Sequence, residues 1–130
     1  SFCRMTVVLD ASAVLSVLWN EPGCDVVLEH IDGGLISAVN HAEVMSKIED
    51  RGVDREGALS LLAQLAIDVI AFDKDQADSV GELRSKTRQL GLSLGDRACL
   101  ALALSRRSTV LTADKAWSKL NLDIEIQIIR

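Results

Sequence analysis

Four acids, Asp10, Glu43, Asp96 and Asp114, each stand where an apolar run gives way to a loop or a helix start. Each has a local explanation. Asp10 can form an Asx turn or cap a helix beginning at Ser12; Asn40-x-x-Glu43 and Ser93-x-x-Asp96 have capping-box spacing; Asp114 can cap a helix beginning at Lys115. Together they also have a chemical explanation. If the preceding runs are parallel strands, their loops open on one edge, and carboxylates gathered there would repel one another and rise in pKa. A divalent cation removes that cost. An oxygen-only set without Cys or His suits a hard ion that keeps several waters, Mg²⁺ or Mn²⁺. His30 and His41 lie on helices and read as structural or exposed residues outside the cluster.

The elements that must position these acids follow from periodicity. Thr6 to Leu9, Leu35 to Ser37, Ile67 to Ala71, Thr109 to Leu111 and Ile124 to Ile129 read as strands, the last alternating at first like an edge strand. Helices are expected over Ser12–Trp19, Asp25–Ile31, Asn40–Asp50, Arg55–Leu65, Asp75–Leu90, Ser93–Arg106 and Lys115–Leu120, punctuated by Pro22-Gly23, Gly33-Gly34, Gly52 and Gly91. The Ser93–Arg106 helix is apolar nearly all round, the mark of a centrally buried helix. Strands separated by helices, without hairpin turns, predict an α/β class with a mostly parallel sheet covered on both faces. In such sheets ligands bind beyond the carboxyl ends of the strands, where the acids fall.

The chain has 130 residues, 48% hydrophobic and 25% charged, so a single domain spanning residues 1–130 with a real core is expected. Ser1 to Arg4 precede Met5 and read equally as a remnant of expression or as a native extension. The longest apolar stretches, Ala58 to Ile67 and Cys99 to Leu104, fall far short of the ~18 residues needed to cross a bilayer, so no membrane role is expected. Cys3, Cys24 and Cys99 form no CxxC pair and are odd in number, which fits a reduced, cytoplasmic setting without disulfide or zinc.

The net charge of −5 excludes nonspecific coating of nucleic acid, yet the average hides a split. From Arg84 to Lys119 eight basic residues face only Asp96 and Asp114, a balance of +6 that leaves −11 elsewhere. A basic segment of this kind is either a solvated helix face or a phosphate-binding one. With Phe2, Trp19, Phe72 and Trp117 as the whole aromatic set, a base-stacking platform is not expected, and nucleic acid would be held by its backbone. Val14, Leu15, Leu18 and Trp19 read as core, with an apolar groove as the alternative.

Four segments in order, VLDASAVLSVLWNEPG, ISAVNHAEVMSKIED, LSLGDRACLALAL and VLTADKAW, make the chain resemble the PIN-domain ribonucleases, most closely the VapC-type toxins of bacterial toxin–antitoxin pairs. The resemblance runs from Met5 to the C-terminus. It implies a PIN-like single domain with about five strands flanked by helices. It also implies a metal site of Asp10, Glu43, Asp96 and Asp114 supported by Ser12 and Asn40, and Mg²⁺- or Mn²⁺-dependent endoribonuclease activity leaving 5′-phosphate ends. RNA would lie along the basic segment, with Arg97 as a candidate phosphate contact; pairing of Arg97 with a neighbouring carboxylate is the equal alternative. The partners implied are a cognate antitoxin, a second toxin copy in a homodimer, and their hetero-oligomer. One departure stands out: many relatives carry a further Asp or Asn shortly after the last acid, where this chain has Lys115, Ala116, Trp117 and Ser118.

A competing class is a non-catalytic, acid-lined metal-binding or phosphoacceptor signalling module. Asp10 has no neighbouring acid to serve it. An aspartyl phosphotransferase, a further reading, usually wants a second acid two residues on, where Ser12 stands.

Overall fold

The computed structural model describes residues 6–130; Ser1 to Arg4, read above as remnant or extension, lie outside the described residues together with Met5. In chain order the elements are β1 (Val7–Leu9), α1 (Ala11–Leu18), α2 (Cys24–His30), β2 (Leu35–Ser37), α3 (Ala38–Arg51), α4 (Arg55–Leu65), β3 (Asp68–Ile70), α5 (Lys74–Lys86), α6 (Leu94–Arg106), β4 (Thr109–Thr112) and β5 (Ile126–Ile128). Short 3-10 turns cover Arg88–Leu90 and Lys115–Lys119.

The five strands form one sheet in the order β3-β2-β1-β4-β5, every neighbouring pair parallel. The expected α/β class and parallel sheet are therefore present. Alternation along each strand splits the core into two layers, because successive side chains point to opposite faces. Val7, Leu9, Ile36 and Leu111 pack with α1 and with Val44 and Ile48 of α3 on one face. Val8, Leu35 and Val110 pack with Val80 and Leu83 of α5 and with α6 on the other. In α6, Ala98 to Ala103 are all buried, and its small residues let the helix sit close to β1, β2 and β4 while touching α3 and α5.

Where the elements differ from the sequence expectation, local hydrogen bonds explain it. The long helix expected over Asp75–Leu90 stops at Lys86, because Thr87 (φ −120°) turns its Oγ1 back to donate to the Leu83 carbonyl at 2.7 Å. The helix expected from Asn40 starts two residues earlier, at Ala38: Ser37 is its cap, its hydroxyl accepting from the Val39 amide at 3.2 Å. Lys115–Lys119 is a 3-10 turn instead of a helix reaching Leu120.

Chain order makes one place special. After β1 the chain moves outward through β2 and β3, then returns to the other side of β1 for β4 and β5. The switch point thus lies between the carboxyl ends of β1 and β4, where an open parallel sheet leaves a crevice. Asp10 follows β1 and Thr112 ends β4.

Candidate active site

The register that pairs Leu9 with Leu111 brings Asp10 beside the end of β4, and the Asp10 amide donates to the Leu111 carbonyl at 3.0 Å. The side chain of Asp10 is held by two hydroxyls on one oxygen. Ser12 Oγ donates to Asp10 Oδ2 at 2.8 Å and Thr112 Oγ1 donates to the same atom at 2.9 Å. Each hydroxyl in turn accepts a backbone amide, Ala113 N to Ser12 Oγ at 2.9 Å and Asp114 N to Thr112 Oγ1 at 3.1 Å. Both hydroxyls thus converge on Oδ2, and the Ala11 backbone amide adds a further hydrogen bond to the carboxyl.

Asp10 is only 7% exposed. Burial pushes its carboxyl up to about 6; the Ser12 and Thr112 hydroxyls pull it back down in part, and the charge of Asp96 adds to the rise. Cys99, wholly buried in α6, is pushed well above the ordinary thiol value by burial first and then by the charges of Asp10, Asp96 and Glu43. Three of the four acids therefore act on one point beneath the crevice.

Glu43 is placed by α3 and by a glycine of α6. Asn40, 0% exposed, donates from Nδ2 to Glu43 Oε1 at 2.9 Å and to the Gly95 carbonyl at 2.9 Å. Its Oδ1 is buried without a partner among the described residues. A Cβ on Gly95 would lie 2.5 to 2.7 Å from the Glu43 carboxylate, so only glycine admits Glu43 at this depth. Asn40 and Glu43 do not form the capping box that their spacing suggested, since Asn40 lies inside α3 and acts through its side chain.

Ser93 and Asp96 do form one. Asp96 N donates to Ser93 Oγ at 3.1 Å and Ser93 N to Asp96 Oδ2 at 3.0 Å, which fixes the first turn of α6. Asp114 also serves its own loop: its Oδ1 accepts from Ala116 N at 3.0 Å, and the residue is exposed. Thr112 ties the Asp114 backbone to Asp10, but the carboxylate itself faces its own turn. Arg97 meets neither partner considered from sequence. Its Nη1 donates to the Val80 carbonyl of α5 at 2.9 Å, and its Nε is buried without a partner.

Thr112 and Gly95 were not singled out by sequence. A threonine ending an apolar strand and a glycine in a helix start are both unremarkable until the fold sets them against Asp10 and Glu43. The donors around the crevice are all oxygen, as a hard cation requires. Among the described residues no three His, Cys, Asp or Glu side chains converge closely enough to hold an ion unaided. Nor, among those residues, does any Lys or Arg pair with Asp10, Glu43 or Asp96.

The sequence matches the PIN domain family over residues 7–122. No curated protein matches it. Among solved structures, the fold is similar to that of VapBC2 from Rickettsia felis bound to a promoter DNA fragment, with TM-score 0.76, 18% identity, 97% of this chain and 100% of that chain covered. DNA-bound VapBC from Salmonella typhimurium gives TM-score 0.76 and 18% identity over 97% of this chain and 99% of the other. VapBC-5 of the VapBC toxin–antitoxin family, from Mycobacterium tuberculosis, gives TM-score 0.61 and 22% identity over 97% and 98%.

Proposed function

The chain belongs to the PIN domain family, and from that premise we propose that it is a Mg²⁺- or Mn²⁺-dependent endoribonuclease, the toxin of a toxin–antitoxin pair. One observation carries the reading: Asp10 is buried at the switch point, close enough to Asp96 to feel its charge, and no cation of the described chain neutralises either acid. A fold that buries a carboxylate at a cost and braces it with two hydroxyls is arranged to receive a positive ion.

Asp10 and Asp96 would hold the ion directly, with Glu43 next to them. A divalent ion bound there would supply an activated water and offset charge on the phosphoryl and leaving oxygens during phosphodiester hydrolysis. Ser12 and Thr112 keep Asp10 in one rotamer and favour its charged form. Asn40 keeps Glu43 against Gly95. Asp114 is exposed and, unlike Asp96 and Glu43, is not among the charges that act on Asp10 or Cys99, so its contribution is the smallest of the four.

A cognate antitoxin, a second toxin copy and their hetero-oligomer are the proposed protein partners, in the cytoplasm. In support, α4 is packed on the core only by half-buried residues, and Leu59, Leu62 and Ala63 line an apolar cavity of about 280 Å³ with exposed Val69 of β3. Among the described residues no helix is long and apolar enough to cross a membrane.

The test is incubation of the purified chain with structured RNA in Mg²⁺, Mn²⁺ or EDTA, with Asp10→Ala as the contamination control and mapping of product ends. Metal-dependent cleavage to 5′-phosphate ends, absent from Asp10→Ala, is expected. Absence of cleavage across several RNA pools, with no metal-induced shift in melting temperature, would return the acids to helix capping and favour a non-catalytic module.

A further inference from the structure

The basic residues between Arg84 and Lys119 do not form one face. Arg97 is turned into the α5–α6 interface, and Arg106 and Arg107 adjoin the start of β4, at the end of the sheet opposite the acids. Arg84 and Arg88 are different. They flank a cavity of about 100 Å³ whose remaining walls are Thr87, Gly91 and Leu92, with no acid among them. Neither arginine makes an ion pair among the described residues. From Leu83 to Gly95 the chain carries three cations and no acid, in a protein whose acids outnumber its bases 19 to 14. Thr87 has spent its hydroxyl on Leu83, so the donors free to act in the cavity are the two guanidinium groups. Gly91, at φ +60°, turns the chain there without adding a side chain to the space.

Position gives the cavity its meaning. Gly91 and Leu92 lead directly into Ser93, the cap that holds Asp96. Five steps along the chain separate Gly91 from Asp96, at most about 18 Å even if fully extended, so the Gly91 wall of the cavity lies within that reach of Asp96. Guanidinium groups suit phosphate oxygens, which accept their paired N–H donors, and unpaired arginines facing a small recess leave such an anion as the fitting occupant.

We propose that the Arg84–Arg88 cavity is a phosphate subsite that grips the RNA backbone beside the cleavage site. The subsite rests on the ribonuclease reading and adds the way the strand is positioned. It contributes affinity and register and reads no base, because phosphate contacts carry no sequence information.

The experiment compares wild type with Arg84→Ala/Arg88→Ala and Arg84→Lys/Arg88→Lys. Binding of a fluorescein-labelled 12-nucleotide single-stranded RNA is followed by anisotropy in EDTA at several salt concentrations, and cleavage of a structured RNA is followed with metal. The alanine pair is expected to bind about tenfold more weakly, to lower the slope of log K against log salt by about 0.7 for one lost phosphate contact, and to raise KM in proportion. The lysine pair is expected to keep the slope while losing part of the affinity. Both residues are exposed, so melting temperatures should stay close to wild type. An unchanged slope and KM in the alanine pair, with wild type active, overturns the subsite alone. A fall in kcat at constant KM also overturns it, since that marks damage at the acids. Wild type that neither binds nor cuts RNA overturns the ribonuclease reading and the subsite with it.

Discussion

Replacing Asp10 by Asn tests whether this carboxylate is held at a cost. The folded chain raises the Asp10 carboxyl from 3.8 to about 6, chiefly by burial. A raised carboxyl disfavours the folded state once it ionises: between the unfolded and folded values the native chain holds the extra proton, so stability falls as pH rises through that window. At about 1.4 kcal/mol per pKa unit, the full loss is roughly 3 kcal/mol, complete above pH 7, of which about 1 is already present at pH 4.5. Asparagine is nearly isosteric and keeps an acceptor for Ser12 and Thr112, but it never ionises. The difference between Asp10→Asn and wild type should therefore shift in the variant's favour by about 2 kcal/mol from pH 4.5 to pH 7.5. Titrating groups that do not interact with Asp10 cancel in that difference. Urea unfolding in EDTA at the two pH values measures it, and a scan at pH 7.5 should place the variant up to about 10 °C higher, with roughly 0.27 kcal/mol per degree for a chain of this size. Mg²⁺ should narrow the gap by stabilising wild type alone. A pH-independent difference, or a variant less stable at pH 7.5 than at pH 4.5 relative to wild type, would refute the reasoning.

Gly95→Ala should lower cleavage at least tenfold by displacing the Glu43 carboxylate, while thermal unfolding changes little because alanine is the better helix former by about 0.5–1 kcal/mol. Thr112→Val keeps the strand's shape and deletes the Asp10 hydrogen bond; it should raise the Asp10 pKa further, moving the acidic limb of the pH–rate profile to higher pH. Asp96→Asn should melt near wild type because an amide oxygen still accepts from Ser93 N, Asp96→Ala should lose about 1 kcal/mol in urea, and both should lose cleavage.

The fold was legible because hydrophobic runs, glycine breaks and cap residues all agreed, and β2 and α4 match their expected limits residue for residue. The site was legible only in its acids. Ser37-x-x-Asn40 and Asn40-x-x-Glu43 have the same spacing, so pattern alone could not show which residue caps α3 and which reaches across to α6. Thr112 gave no signal because threonine is at home in any strand; its role follows from the pairing of β1 with β4, a contact that local periodicity does not encode. Arg97 could be assigned to phosphate or carboxylate from its chemistry, but the Val80 carbonyl it meets belongs to a backbone whose path the sequence does not reveal.

The brace on Asp10 joins residues 102 positions apart. During synthesis β1 is made first, and the threonine that completes the brace follows about a hundred residues later. A polypeptide ending before Thr112 therefore carries Asp10, Glu43 and Asp96 but lacks one of the two hydroxyls that hold Asp10. On the reading of the chain as a ribonuclease, this topology keeps the candidate site unassembled until β4 has been made.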